Sequence, residues 1–104
     1  MDRSLKVKDL MVLVRAAVEN GQLIYSTHAS IRMGERNIIK PEIEYVLETG
    51  YHEAKKDKFN VEFGSWDYAI KGKTVDNRNL RIIIALIHPN VLIVTAIDLG
   101  RGKK

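Results

Sequence analysis

The sequence predicts an α+β fold in which N-terminal helices pack on an antiparallel β-sheet. Three observations carry this expectation. Apolar residues recur at helical spacing through the first half of the chain, and the second half alternates, then turns almost wholly apolar and β-branched. The third is size: 104 residues, 45% of them hydrophobic, suit one domain over residues 1–104 with a basic tail at 100–104.

Val7, Leu10, Met11, Val14 and Val18 follow the spacing of one helical face, and Asn20-Gly21 is a stop signal. Gln22 to Tyr25 reads as a short extended piece. Thr27 is positioned to cap a second helix running to about Arg36, because its hydroxyl can accept free amide hydrogens of the first turn. Pro41 suits the first position of a third helix, where a missing N–H costs nothing. Ile43, Val46 and Leu47 form its apolar face, Glu42, Glu44 and Glu48 its wet face, and Gly50 its end.

Trp66, Tyr68 and Ile70 alternate with Asp67, Ala69 and Lys71, the period of a half-buried strand. After the turn-rich stretch Gly72 to Asn79, Leu80 to Ile87 reads as a central strand and Val91 to Ile97 repeats its pattern across His88-Pro89-Asn90. Pro89 does not suit the tightest two-residue turns, so the turn type stays open. Pairing Ile87 with Leu92 sets Arg81 opposite Asp98 and Ile84 opposite Thr95. One face of the sheet then lies under the helices and the other is partly open.

His28, Arg32 and Arg36 are spaced by four and share one face of the second helix. An imidazole with two guanidiniums makes a phosphate-binding stripe, and the imidazole can exchange a proton near neutrality. The plainer reading is a basic surface stripe in which Glu35 pairs with Arg32 and His28 caps or packs. Lys55 and Lys56 read most simply as a solvated pair. Tyr68 and Lys71 fall on opposite faces of their strand, while Trp66 and Tyr68 share one, as core residues or as base-stacking platforms. Arg81 enters an apolar strand and needs a carboxylate or a polyanion, with Asp98 the obvious structural partner.

Seventeen basic against thirteen acidic residues give a formal charge of +4, and residues 71–104 hold seven basic against two acidic. A basic end of this kind attracts a polyanion such as RNA or an acidic partner, or merely keeps the surface soluble. The chain has no cysteine, which excludes disulfides, a thiolate zinc site and a cysteine nucleophile. The histidines at 28, 52 and 88 lack metal-ligand spacing, and no GxGxxG, Walker A or GxSxG motif occurs. No metal and no cofactor are therefore expected. The longest apolar run, Ile82 to Ile87, is far short of the about 20 residues that span a bilayer, and Met1 to Lys6 shows no signal peptide. The expectation is a cytoplasmic domain with no membrane partner.

The segment Ser26-Thr27-His28-Ala29-Ser30-Ile31-Arg32-Met33-Gly34-Glu35-Arg36, followed by Ile38 and a glutamate-flanked helix ending at Gly50, resembles a family of small prokaryotic domains of unassigned function. That family's pattern is HAxxRMxxR followed by a hairpin like Leu80-Arg81-Ile82 to Leu92-Ile93-Val94-Thr95, and the resemblance covers roughly residues 22–99. It is similar in turn to the RelE/ParE toxin superfamily with its BrnT and MqsR types. This resemblance implies a RelE-like fold, metal-independent RNA cleavage on ribosomes or free mRNA, and neutralisation by a cognate antitoxin. Two positions depart from the MqsR pattern: Asp67 stands where an amide is usual, and Ile97 where a lysine is usual.

Metal-free RNA cleavage needs the 2′-hydroxyl deprotonated, the leaving 5′-oxygen protonated and the charge on phosphorus stabilised. In that scheme His28 is the acid or base, Arg32, Arg36 and Arg81 are the stabilising cations, and Lys56, Tyr68 and Lys71 assist substrate binding. The alternative is a non-catalytic domain of the same fold that binds RNA or a protein.

Overall fold

The computed structural model describes residues 5–101. Three helices cover one face of a six-stranded mixed sheet, and the elements follow the chain in the order helix, strand, two helices, then five strands. Helix α1, Leu10–Glu19, buries Leu10, Val14 and Ala17. Val7 lies before it, in a segment whose N–H donates to the Tyr68 hydroxyl at 2.8 Å. Strand β1, Leu23–Tyr25, leads into α2, Thr27–Glu35. Ser26, not Thr27, is the cap: its Oγ accepts from the Ala29 N–H at 2.9 Å and donates to the Val94 carbonyl at 3.0 Å.

Helix α3, Lys40–Thr49, buries Ile43, Val46 and Leu47 as its periodicity predicts. Its first turn is closed by the Glu42 carboxylate accepting from the Ile39 N–H at 3.1 Å. The helix ends against the sheet at Gly50. A Cβ there would sit 2.4 Å from the Lys71 carbonyl oxygen, and one on Gly72 would sit 3.0 Å from the Gly50 Cα. Only glycine permits so close an approach of helix end to strand.

The remaining elements are β2 (Tyr51–His52), a 3-10 turn at Ala54–Lys56, β3 (Lys58–Asn60), β4 (Ser65–Lys73), β5 (Arg78–Ile87) and β6 (Asn90–Arg101). The sheet order is β1-β6-β5-β4-β2, with β3 also pairing β4. β1 lies parallel to β6, so the expected antiparallel sheet is in fact mixed. The reason is topological: β1 enters the sheet ahead of α2, and the last strand returns alongside it. Of the basic tail expected at 100–104, Gly100 and Arg101 continue β6 and residues 102–104 lie outside those described. Among the described residues no helix is long and apolar enough to cross a membrane.

The register of the last hairpin corrects one sequence expectation. Ile87 pairs with Asn90 across a two-residue turn containing a cis His88–Pro89 bond, and the register shifts again between Ile83 and Ile84. Arg81 therefore pairs with Ile97, Leu80 with Asp98, Ile84 with Ile93 and Ile83 with Thr95. Arg81 and Asp98 consequently fall on opposite faces, because side chains alternate along a strand. Leu80, Ile82, Ile84, Val91, Ile93 and Ala96 join the helices in one core, while Arg81, Ile83, Ala85 and Ile97 face the other way.

Candidate functional site on the open face of the sheet

The face that the helices leave uncovered carries the clearest convergence of charged groups. Residues two apart on a strand share a face, so β4 presents Asp67, Ala69 and Lys71 here and β5 presents Arg81, Ile83 and Ala85. Cross-strand pairing sets Lys71 beside Arg81 and Lys58 beside Asp67. A cleft of about 330 Å³ opens between them, lined by Lys56, Lys58, Asp67, Arg81, Ile83 and Ile97. Its floor is apolar and its walls are basic. Lys56, Lys58 and Lys71 form no ion pair with another described residue.

Arg81 is held from one side. Its Nε donates to Glu53 Oε1 at 2.7 Å and its Nη2 to Oε2 at 3.1 Å. The Arg81 hydrogen bond holds the Glu53 carboxyl below the usual carboxylate range, with help from Lys71 and Lys56. The same bond raises the Arg81 guanidinium, so the pair stays ionised. Asp67 behaves in the opposite sense. Burial pushes its carboxyl up, only partly offset by a hydrogen bond from the Asn60 side chain.

The helix stripe lies elsewhere. α2 packs on the core side through Ala29 and Met33, so His28, Arg32 and Arg36 are across the sheet from Arg81. His28 is exposed and makes no hydrogen bond to another described residue. Arg32 pairs with Glu35 at 2.8 Å, the plainer of the two sequence readings. Arg36 Nη1 donates to the Ala96 carbonyl at 2.5 Å and so pins α2 to β6. Of the seven residues singled out in the sequence, the structure brings together Lys56, Lys71 and Arg81. Tyr68 is buried on the helix side, its hydroxyl taken by Val7.

Glu53 and Lys58 complete the open face and were not marked out by spacing, because they sit in pieces too short for any period to show. Asp67 did carry a signal, the alternation that put it opposite Trp66 and Tyr68. A second polar cluster lies at the outer edge of β4. The Asp57 side chain is fully buried, accepts from the Ala69 N–H at 2.9 Å and His52 Nε2 at 2.7 Å, and pairs with Lys6 at 3.0 Å. Arg78 forms a third, donating to Glu42 and to the carbonyls of Arg36 and Asn37. Among the described residues no group of three or more His, Cys, Asp or Glu is placed to hold a metal ion.

Fold and face together define a small α+β domain with a helix-covered core and an uncovered basic cleft. Residues 25–98 match the family described as Domain of unknown function (DUF4258), and the chain belongs to that family. No curated protein and no solved structure matches it.

Proposed function

We propose that the chain engages single-stranded RNA on the open face of its sheet and cleaves it there without a metal, as a RelE-like toxin of a toxin–antitoxin pair. One observation supports this reading above the others: three cations and one carboxyl of raised pKa line a single cleft, and a fourth cation, Lys71, stands beside Arg81 on the same face. Lys56, Lys58, Lys71 and Arg81 neutralise backbone phosphates, and the apolar floor of Ile83 and Ile97 accepts a base or ribose face. Asp67 takes the proton of the 2′-hydroxyl, and its raised pKa makes it the stronger base. The 2′-oxygen forms a bond to phosphorus, the bond from phosphorus to the 5′-oxygen breaks, and a lysine ammonium protonates that oxygen. The products carry 2′,3′-cyclic phosphate and 5′-hydroxyl ends. Arg81 stabilises the extra charge on phosphorus during the step.

The second reading, RNA binding without cleavage, is favoured by one observation: His28 stands outside the cleft, which leaves the face without an imidazole. One experiment separates the readings. Labelled RNA is titrated with the protein in EDTA over a range of salt, and the ends of any product are mapped. Binding with a log–log salt slope of about −2 to −3 fits four cations at about −0.7 per phosphate on a single strand. Cyclic phosphate ends that disappear in Asp67→Asn support cleavage, and binding without product supports the second reading. Absence of both, with translating ribosomes included, removes RNA as the ligand.

A further inference from the structure

An acidic side chain beside a basic cleft ought to oppose a polyanion, yet Glu53 sits among Arg81, Lys71 and Lys56. Its geometry explains the placement. The carboxylate takes the Nε edge of Arg81 with both oxygens and is itself on a fixed support, since the Glu53 N–H donates to the Ala69 carbonyl at 2.8 Å. An arginine has two edges that can each form a bidentate pair. With the Nε edge occupied, the edge carrying Nη1 makes no hydrogen bond to another described residue. The side chains of Arg81 and Glu53 are 19% and 18% exposed, so the pair is shielded enough to hold and open enough to meet a ligand.

We propose that Glu53 is the positioning residue of this face: it clamps one edge of Arg81 and thereby presents the other to a single backbone phosphate of the RNA. The proposal rests on the RNA reading above and adds a specific role to a residue of the wrong charge for it. A free arginine must lose its side-chain freedom when it meets a phosphate, whereas a clamped one has already lost it on folding. The charge effect and the positioning effect have opposite signs, which makes the idea testable.

The test uses the whole chain, a short fluorescent single-stranded RNA and anisotropy over a range of salt, with folding checked by circular dichroism. Glu53→Ala should weaken binding about tenfold, the loss of one charge-assisted contact, and lower the salt slope by about 0.7. Arg81→Ala should do the same, and the double variant should be no weaker than Arg81→Ala alone. Glu62→Gln removes the same charge from the exposed loop between β3 and β4 and should not weaken binding. Should Glu53→Ala not fold, Glu53→Gln keeps one acceptor and should show a smaller loss of the same kind. Tighter binding by Glu53→Ala, in step with Glu62→Gln, overturns the proposal, as do additive losses in the double variant. Wild-type protein that binds no RNA removes the RNA reading and this role with it. Loss in Arg81→Ala without loss in either Glu53 variant removes only the role of Glu53.

Discussion

Replacing Arg78 by Met keeps the aliphatic stem and removes the guanidinium that joins three parts of the fold. That group donates to Glu42 Oε1 at 2.8 Å, to the Arg36 carbonyl at 2.8 Å and to the Asn37 carbonyl at 3.0 Å, with Asp98 at 3.5 Å. It therefore ties β5 to the loop between α2 and α3 and to the first turn of α3. The side chains of Arg78 and Glu42 are 13% and 22% exposed, so neither group regains full hydration when its partner goes. Breaking a fully buried pair costs about 3–5 kcal/mol, and partial exposure places this one at the lower end, about 3 kcal/mol. For a domain near 100 residues each kcal/mol moves Tm by about 4–8 °C, so the expected fall is roughly 12–24 °C. Thermal denaturation followed by far-ultraviolet circular dichroism at neutral pH measures it directly. Arg78→Lys keeps the charge without the planar fork and should recover less than half of the loss. An Arg78→Met variant that melts within about 3 °C of wild type would show that these contacts do not hold the α2–α3 loop to the sheet.

Three further outcomes follow from the same reasoning. The Tyr25 hydroxyl is buried without a hydrogen-bond partner among the described residues, and its pKa is pushed up to about 12, by burial first and then by the Glu44 charge. Because the folded state holds this proton more tightly, its contribution is complete below the ordinary value of 10 and is lost as pH rises towards 12. Tyr25→Phe should melt at or above wild type at neutral pH, and its urea midpoint should fall less steeply between those two values; identical slopes would refute the assignment. Asp57→Ala strands the Ala69 N–H and takes the carboxylate from His52 and Lys6, and should cost about 2–3 kcal/mol by urea denaturation, whereas a loss under about 1 kcal/mol would mean the cluster is dispensable. His28→Ala should leave both Tm and RNA affinity unchanged, and a large drop in affinity with the fold intact would move the RNA site to α2.

The three helices were legible because each runs nine or ten residues, long enough for a 3.6-residue period to show on one side. β2 and β3 have two and three residues, too few to display alternation, and they form only because β4 offers an edge to pair with. The parallel β1–β6 pair joins segments far apart in sequence, so no local pattern announces it. Register in the last hairpin depended on a turn and a bulge that apolar residues on both strands leave undetermined. The same division holds for the cleft. Arg81 stood out as a charge in an apolar strand, and Lys71 and Asp67 were legible as alternating positions. The carboxylate that meets Arg81 was expected at Asp98 and comes instead from Glu53, beside β2, the shortest strand of the sheet. His28, Arg32 and Arg36 do share one side of a helix, and spacing cannot say which side of the sheet that helix covers.

The polar contacts along the rims of the sheet act as guards as well as fasteners. On one side Asp57 takes the Ala69 N–H in the gap between β2 and β3. On the other, Ser26 and Arg36 take the carbonyls of Val94 and Ala96 where β1 has ended. Each of these main-chain groups would otherwise point outward from a strand margin, ready to zip onto a second chain. Substitutions at Ser26, Arg36 or Asp57 should therefore raise the tendency of the domain to self-associate as its concentration rises. Self-association would appear in sedimentation or light scattering at temperatures well below the melting transition, and dilution would reverse it.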